Sequence, residues 1–295
     1  MQHTVALPAV SVRLPDHYVW GTELKIPREN RHMAQTPALF ISHGSPMLAF
    51  EDGPARRFLL DLAPRLPEPR AILVVSAHYE AEHPTITTGA APGTIHDFHG
   101  FPQALYRLSY PAPGAPEIAA RIEALLAAKG YEVSGDPERG FDHGAWVPLI
   151  LLNPHADIPV VQLSISPRHD AAWHYRLGEA LRPLREEGVM IIGSGSITHN
   201  LRDLTRTEPG APPAPWASAF TEWVHDKVEA RALDELLHYR DRAPNAVHAH
   251  PTDEHFLPFF VALGASPVGE KAERLHHSFT YGALGMDVYA FGEAA

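Results

Sequence analysis

The sequence predicts an α/β fold: a single domain with a mostly parallel central sheet flanked by helices and a ligand site at the C-terminal edge of the strands. Four short apolar runs rich in β-branched residues have the length and composition of buried strands: PALFIS (37–42), RAILVVSA (70–77), DIPVVQLSI (157–165) and GVMIIGSG (188–195). Helical patterns lie between them, and strands alternating with helices build parallel sheets covered on both faces. Histidines follow three of these runs closely, at the sheet edge where α/β proteins collect ligands.

Taken in order, residues 1–36 show no hydrophobic period and are expected to form an irregular surface extension. After the first strand, GPARRFLLDLAPRL (53–66) has a helical pattern. APEIAARIEALLAAKG (115–130) and WHYRLGEALRPLREEG (173–188) follow, each ending at a glycine suited to a helix C-cap. The Pro-rich stretch TRTEPGAPPAP (205–215) reads as a long connection within the domain spanning 37–295. It leads to a helix over PWASAFTEWVHDKVEA (215–230) and a short one around ALDELLHY (232–239). The tail RLHHSFTYGALGMDVYAFG (274–292) is expected to add one or two strands.

Composition narrows the function classes. No apolar stretch approaches the roughly 18–20 residues of a membrane span, and the first residues lack a secretory pattern, so a cytoplasmic address is expected. A net charge of −11, with 24 basic against 35 acidic residues and no basic block, argues against nucleic acid and for a small-molecule partner. There is no cysteine, which excludes thiolate ligands and disulfides. Twenty histidines are the unusual feature, leaving imidazole and carboxylate as metal donors.

The histidines delivered by strand ends are His43 (SHGSP), His78 (SAHYE) and His199 (ITHN). One alone reads as a satisfied, partly buried ring; three at one edge point to a metal. Gly44, Gly193 and Gly195 would let the backbone turn sharply beside them, although GSGS is also an ordinary strand-to-helix turn. Two further clusters stand out. HDFHGFPQALYRLSYPAPG (96–114) brings His96, His99, Phe98, Phe101, Tyr106 and Tyr110 into a long loop, either a pocket wall suited to a flat ring or a satellite hydrophobic cluster. GFDHGAWVPLILL (140–152) places His143 between turn residues and an apolar run, where it could act as an acid or base.

In HAHPTDEHFLPFFVALGA, His248 and His250 would point the same way from an extended stretch, and Pro251 would open a helix. On that helix His255 shares a face with Phe259 and Ala262, so it points inward. Asp253 and Glu254 would favour the helix N-terminus electrostatically.

With these segments assembled, the chain resembles the extradiol ring-cleavage dioxygenases related to the protocatechuate 4,5-dioxygenase catalytic subunit, within the 4,5-DOPA dioxygenase branch. The carriers are FISHGSPM, LVVSAHYE, HDFHGFP, FDHGAWVPL, GSGSITHNL and HPTDEHFLPFFVALGA, in that order. The resemblance implies one Fe(II) or Zn(II) per chain, held by His43, His78 and His255. It implies that His199 is a fourth ligand or an acid/base, that His143 is a second acid/base or substrate contact, and that His248 and His250 support the site from behind. It further implies a catechol and O₂ as substrates, opening of the ring beside its hydroxyl pair, and a yellow semialdehyde product. His255 departs from the two-histidine, one-carboxylate set usual for non-haem iron oxygenases, which leaves iron and zinc both open. A zinc hydrolase and a non-catalytic metal or aromatic-ligand binder are the alternative readings of the same histidines. Oligomeric state, including a homo-oligomer, is left open.

Overall fold

The four apolar runs do become strands, and they pair in parallel. In the computed structural model, which describes residues 35–206, 208 and 210–293, the strands are β1 (Ala38–Ser42), β2 (Ala71–Glu80), β3 (Thr85–Thr87), β4 (Ser134–Asp136) and β5 (Val160–Ile165). They continue with β6 (Val189–Gly195), β7 (Ala272–His276), β8 (Phe279–Thr280), β9 (Leu284–Gly285) and β10 (Val288–Phe291). The main sheet has eight strands in the order β4-β3-β5-β2-β6-β1-β10-β7. Its centre, β5-β2-β6-β1, is wholly parallel, while β3 pairs antiparallel with β5 and β10 antiparallel with both β1 and β7. Parallel pairing brings the C-terminal ends of four strands to one edge.

The helices are α1 (Pro54–Leu62), α2 (Pro116–Ala127), α3 (His143–Leu152), α4 (Ala171–Leu181), α5 (Pro183–Glu186) and α6 (Pro215–Glu229). Short helices α7 (Leu233–Leu237), α8 (Tyr239–Arg242) and α9 (Ala246–Ala249) precede α10 (Leu257–Gly264). Side-chain alternation on the strands divides the core in two. Phe40, Leu73 and Val75 pack with Ile118, Leu177, Phe220 and Phe259 on one face; Leu39, Ile41, Ile72 and Val74 pack with Leu59 and Trp146 on the other. No helix among the described residues is long and apolar enough to cross a membrane.

Several expectations change. The extension over residues 1–36 lies outside the described residues except for Gln35 and Thr36, and Thr36 is buried, its hydroxyl donating to the Val189 carbonyl at 2.7 Å. The tail forms four short strands rather than one or two, because β7 and β10 complete the main sheet beside β1 while β8 and β9 form a small hairpin. Segment 143–152 is a buried helix, capped by the Asp142 carboxylate accepting from the Ala145 N–H. Gly193 and Gly195 lie within β6, not in a turn, and Gly44, at φ +59°, is the residue that turns sharply.

His174, on α4, shows how the fold treats a histidine remote from the site. It is fully buried; Nδ1 donates to the Asp170 carbonyl at 2.8 Å and Nε2 accepts the Ser166 N–H at 3.2 Å. Burial lowers its pKa to about 4, since protonation would also place a donor against the Ser166 N–H. Below an unfolded value of about 6.5 the unfolded chain takes up this proton first, so stability is present above that pH and falls as pH drops toward 4. The expected loss from this residue is on the order of 3 kcal/mol. Denaturant melts at several pH values should show a shallower acid slope for His174→Gln than for wild type.

Candidate metal centre

The strand ends, a bulge and two turns bring five histidines together. His43 leaves β1, where its N–H donates to the Gly195 carbonyl of the parallel neighbour at 2.9 Å. His78 sits where β2 and β5 lose register between Ser76 and Glu80, a bulge that re-aims its side chain. Ser76 braces that bulge: its hydroxyl accepts the His78 N–H at 3.1 Å and donates to the buried Asp142 carboxylate at 2.7 Å. His143 starts α3, His199 follows β6, and His255 lies in the turn before α10.

The His43, His78 and His255 ligand nitrogens all lie within 4.8 Å of one another. His143 packs against this group, its ring centroid 3.9 Å from that of His78 and 5.4 Å from that of His43. His199 stacks on His255 with centroids 3.3 Å apart and planes 11° from parallel. It groups with Glu254 and His255 rather than with the other three.

Proton positions follow from the partners. The Ser194 hydroxyl donates to the Gly144 carbonyl, so its oxygen accepts from His43 Nδ1 at 3.0 Å, leaving His43 Nε2 as a bare lone pair. Glu254 Oε1, an acceptor only, lies 3.0 Å from His255 Nδ1 and leaves Nε2 of that ring free. Asp97 lies between two rings: Oδ1 is 2.9 Å from His143 Nδ1 in a close but bent contact, and Oδ2 is 3.7 Å from His78 Nδ1. Burial raises the Asp97 carboxyl, but the His143 contacts outweigh it and hold the pKa down at about 2.

The three grouped imidazoles are neutral. Burial, reinforced by neighbouring histidines, holds His43 and His255 well below 6.5 and His78 at about 3. His78 Nε2 therefore faces His43 Nε2 at 3.0 Å with both protons on the outward Nδ1 atoms. Two lone pairs so placed repel unless a cation lies between them. Two nitrogens each about 2.1 Å from a shared ion are separated by roughly 3.0–3.4 Å, so the spacing and donor set fit a metal ion.

The other candidate histidines divide. His250 is buried, Nε2 bonding the Ile197 carbonyl at 3.0 Å, whereas His248 lies on α9 and pairs with exposed Asp203 at 2.8 Å; a helix, not an extended stretch, separates their directions. His255 does point inward but precedes the helix, whose first residue is Leu257, so the helix-face derivation fails while the direction stands. In loop 96–114, Leu105 and Tyr110 anchor the segment in the core, and Phe98 lies against His143 with centroids 5.6 Å apart. His96 bonds the Leu108 carbonyl and His99 is exposed, so neither joins the group. Asp97 and Glu254 are the site residues that local sequence reasoning passed over. A polar cavity of about 510 Å³ lies behind Glu254, lined also by Glu80, Arg240, Thr252 and Asp253; none of the five histidines lines it.

A parallel α/β sheet that gathers neutral imidazoles at its strand ends finds its class in a comparison with known families. The model of the catalytic LigB subunit of aromatic ring-opening dioxygenase matches residues 37–292, which makes this protein an aromatic ring-opening dioxygenase. The chain belongs to that LigB family. It is 46% identical over 256 residues to 4,5-DOPA dioxygenase extradiol of Beta vulgaris, covering 85% of this chain and 95% of that one. It is also 46% identical over 233 residues to 4,5-DOPA dioxygenase extradiol of Escherichia coli (strain K12), covering 78% and 84% respectively. A solved structure of an uncharacterized Escherichia coli K12 protein superposes with a TM-score of 0.73 at 38% identity, covering 87% of this chain and 100% of the other.

Proposed function

We propose that this enzyme is an extradiol dioxygenase for catechols of the DOPA type, using O₂ and one Fe(II) held by His43, His78 and His255. The observation that carries the reading is the pair of Nε2 lone pairs facing each other at 3.0 Å, with His255 completing the donor set. His43, His78 and His255 would hold the ion, and Fe(II) bound there would supply the redox-active Lewis-acid chemistry that ring cleavage with O₂ requires. The names and identities of the relatives support the choice of a dihydroxyphenyl substrate.

The remaining residues supply orientation and proton handling. His199 is an acid/base: burial brings its pKa down to about 4, so the ring is neutral and able to accept a proton from a catechol hydroxyl. Its contact with Glu254, 3.9 Å from Nδ1, stabilises the proton once taken. His143, packed on His78 and beside Asp97, donates to or stabilises the oxyanion that develops as the ring opens. Phe98 supplies an aromatic face next to His143 against which a flat ring can lie.

Anaerobic loading with Fe(II), followed by oxygen uptake with DOPA and with simple catechols, tests the reading. Uptake matched by a yellow product is expected, and the zinc-loaded protein should show none. A fully iron-loaded protein that consumes no oxygen with any catechol would sink it. Activity confined to zinc and to a hydrolysable substrate would favour a Lewis-acid hydrolase, which an all-imidazole donor set also suits.

A further inference from the structure

We infer that Asp97 and Glu254 are paired positioning residues, each holding one imidazole of the ion-binding group together with the imidazole packed against it. Asp97 reaches Nδ1 of His143 and of His78 at 2.9 and 3.7 Å; Glu254 reaches Nδ1 of His255 and of His199 at 3.0 and 3.9 Å. The two pairs are built alike. In each, the rings lie close, with centroids 3.9 Å apart for His78 and His143 and 3.3 Å for His255 and His199, and one carboxylate spans their Nδ1 edges. The same two triads are the other groupings of candidate donor atoms among the described residues.

The arrangement follows one rule around the site. A neutral imidazole carries a single N–H and a carboxylate can only accept, so Glu254 holds His255 in the Nδ1–H form through its 3.0 Å hydrogen bond. His78 and His199, at 3.7 and 3.9 Å, meet their carboxylates through electrostatic attraction, and His143 meets Asp97 in a bent 2.9 Å contact. Ser194 imposes the same form on His43. His43, His78 and His255 therefore turn their protonated nitrogen outward and present Nε2 to one another. Backbone bonds tie both segments to the site: the Asp97 carboxylate accepts the His143 N–H at 2.9 Å, and next to Glu254 the His255 carbonyl accepts the Ser196 N–H at 2.8 Å. A shift of either loop would move a ligand and its neighbouring acid/base together. Orientation of ligand imidazoles by such partners is typically worth 10–100-fold in metal affinity.

This inference rests on His43, His78 and His255 being the ion-binding group, and its test needs no turnover. Imidazole ¹⁵N spectra of the metal-free protein report which ring nitrogen carries each proton, and competition of Zn²⁺ against a chelator reports affinity. Glu254→Gln is expected to release His255 and His199 from the Nδ1–H form, leave His78 and His143 unchanged, and weaken Zn²⁺ binding roughly 10–100-fold. Asp97→Asn should do the reverse, affecting only His78 and His143. Glu254→Asp and Asp97→Glu, which keep a charged, acceptor-only carboxylate where the amides can also turn a donor toward the ring, should restore part of the tautomer preference, and Glu80→Gln on the neighbouring cavity wall should change neither signal. Unchanged tautomers, or Zn²⁺ affinity within about twofold of wild type in both amide variants, would overturn the inference. A protein that shows these effects but never consumes oxygen would refute the catechol reading alone.

Discussion

His255→Ala is expected to lose the bound ion and, with it, ring-cleaving activity down to background. Its Nε2 completes the group formed with His43 and His78, and a two-imidazole remnant has too few donors to hold an ion against a chelator. The loss in affinity should exceed the roughly 10–100-fold that removing a supporting partner produces. Metal content after equilibration with a chelator, measured beside oxygen uptake, checks it. Folding should be retained, because the neighbouring Phe256, Leu257 and Phe259 keep the turn and α10 anchored in the core. Retention of one ion per chain by the variant would remove His255 from the site. By contrast, His199→Ala should keep the ion and lose about 10²–10⁴-fold in turnover, the usual contribution of an acid/base.

Gly195→Ala should damage fold and site together. A Cβ there would lie 2.1 Å from the His255 carbonyl oxygen, a backbone atom that already accepts the Ser196 N–H at 2.8 Å. Something must move, and what moves is the turn carrying His255 or the strand end carrying His43, whose N–H bonds the Gly195 carbonyl. Overpacking against backbone costs about 1–3 kcal/mol or more, so a lower melting temperature and a weaker ion site are expected at once. Gly93→Ala is the matched control, since an added methyl there meets nothing within 4 Å; it should alter stability by no more than about 0.5 kcal/mol. A Gly195→Ala protein with wild-type melting and metal affinity would refute the close-approach argument.

Much of this architecture is legible locally. The four central strands are runs of β-branched residues too short for helices and too apolar for loops, and they form the parallel centre of the sheet. Their ends then determine where His43, His78 and His199 emerge. Helix α3 escapes the same reading because it is apolar all round and contains Pro148, so it offers no periodic polar face. His255 is reached by an incorrect route: Pro251 can open a helix, but the chain makes turns until Phe256, and the inward direction comes from packing on β6.

The carboxylates were the least visible. Glu254 has a sufficient local explanation as an acidic residue near a helix start, and Asp97 sits between two histidines that themselves draw the eye. Their partners are fixed by distance in space: Asp97 meets His143 across 46 positions of chain, and His78 across the sheet edge. Neither pairing leaves a periodic or compositional trace.

The sequence by itself determined the fold class, the absence of thiolate chemistry and the set of histidines from which the site is drawn, because strand propensity, burial and residue type are local properties. Only the tertiary structure decided which of those histidines share one centre, which nitrogen each presents, and that Asp97 and Glu254 hold them. Those depend on a bulge in β2, the approach of the 250–256 turn to Gly195, and carboxylate contacts made through space, all set by packing between segments far apart in the chain.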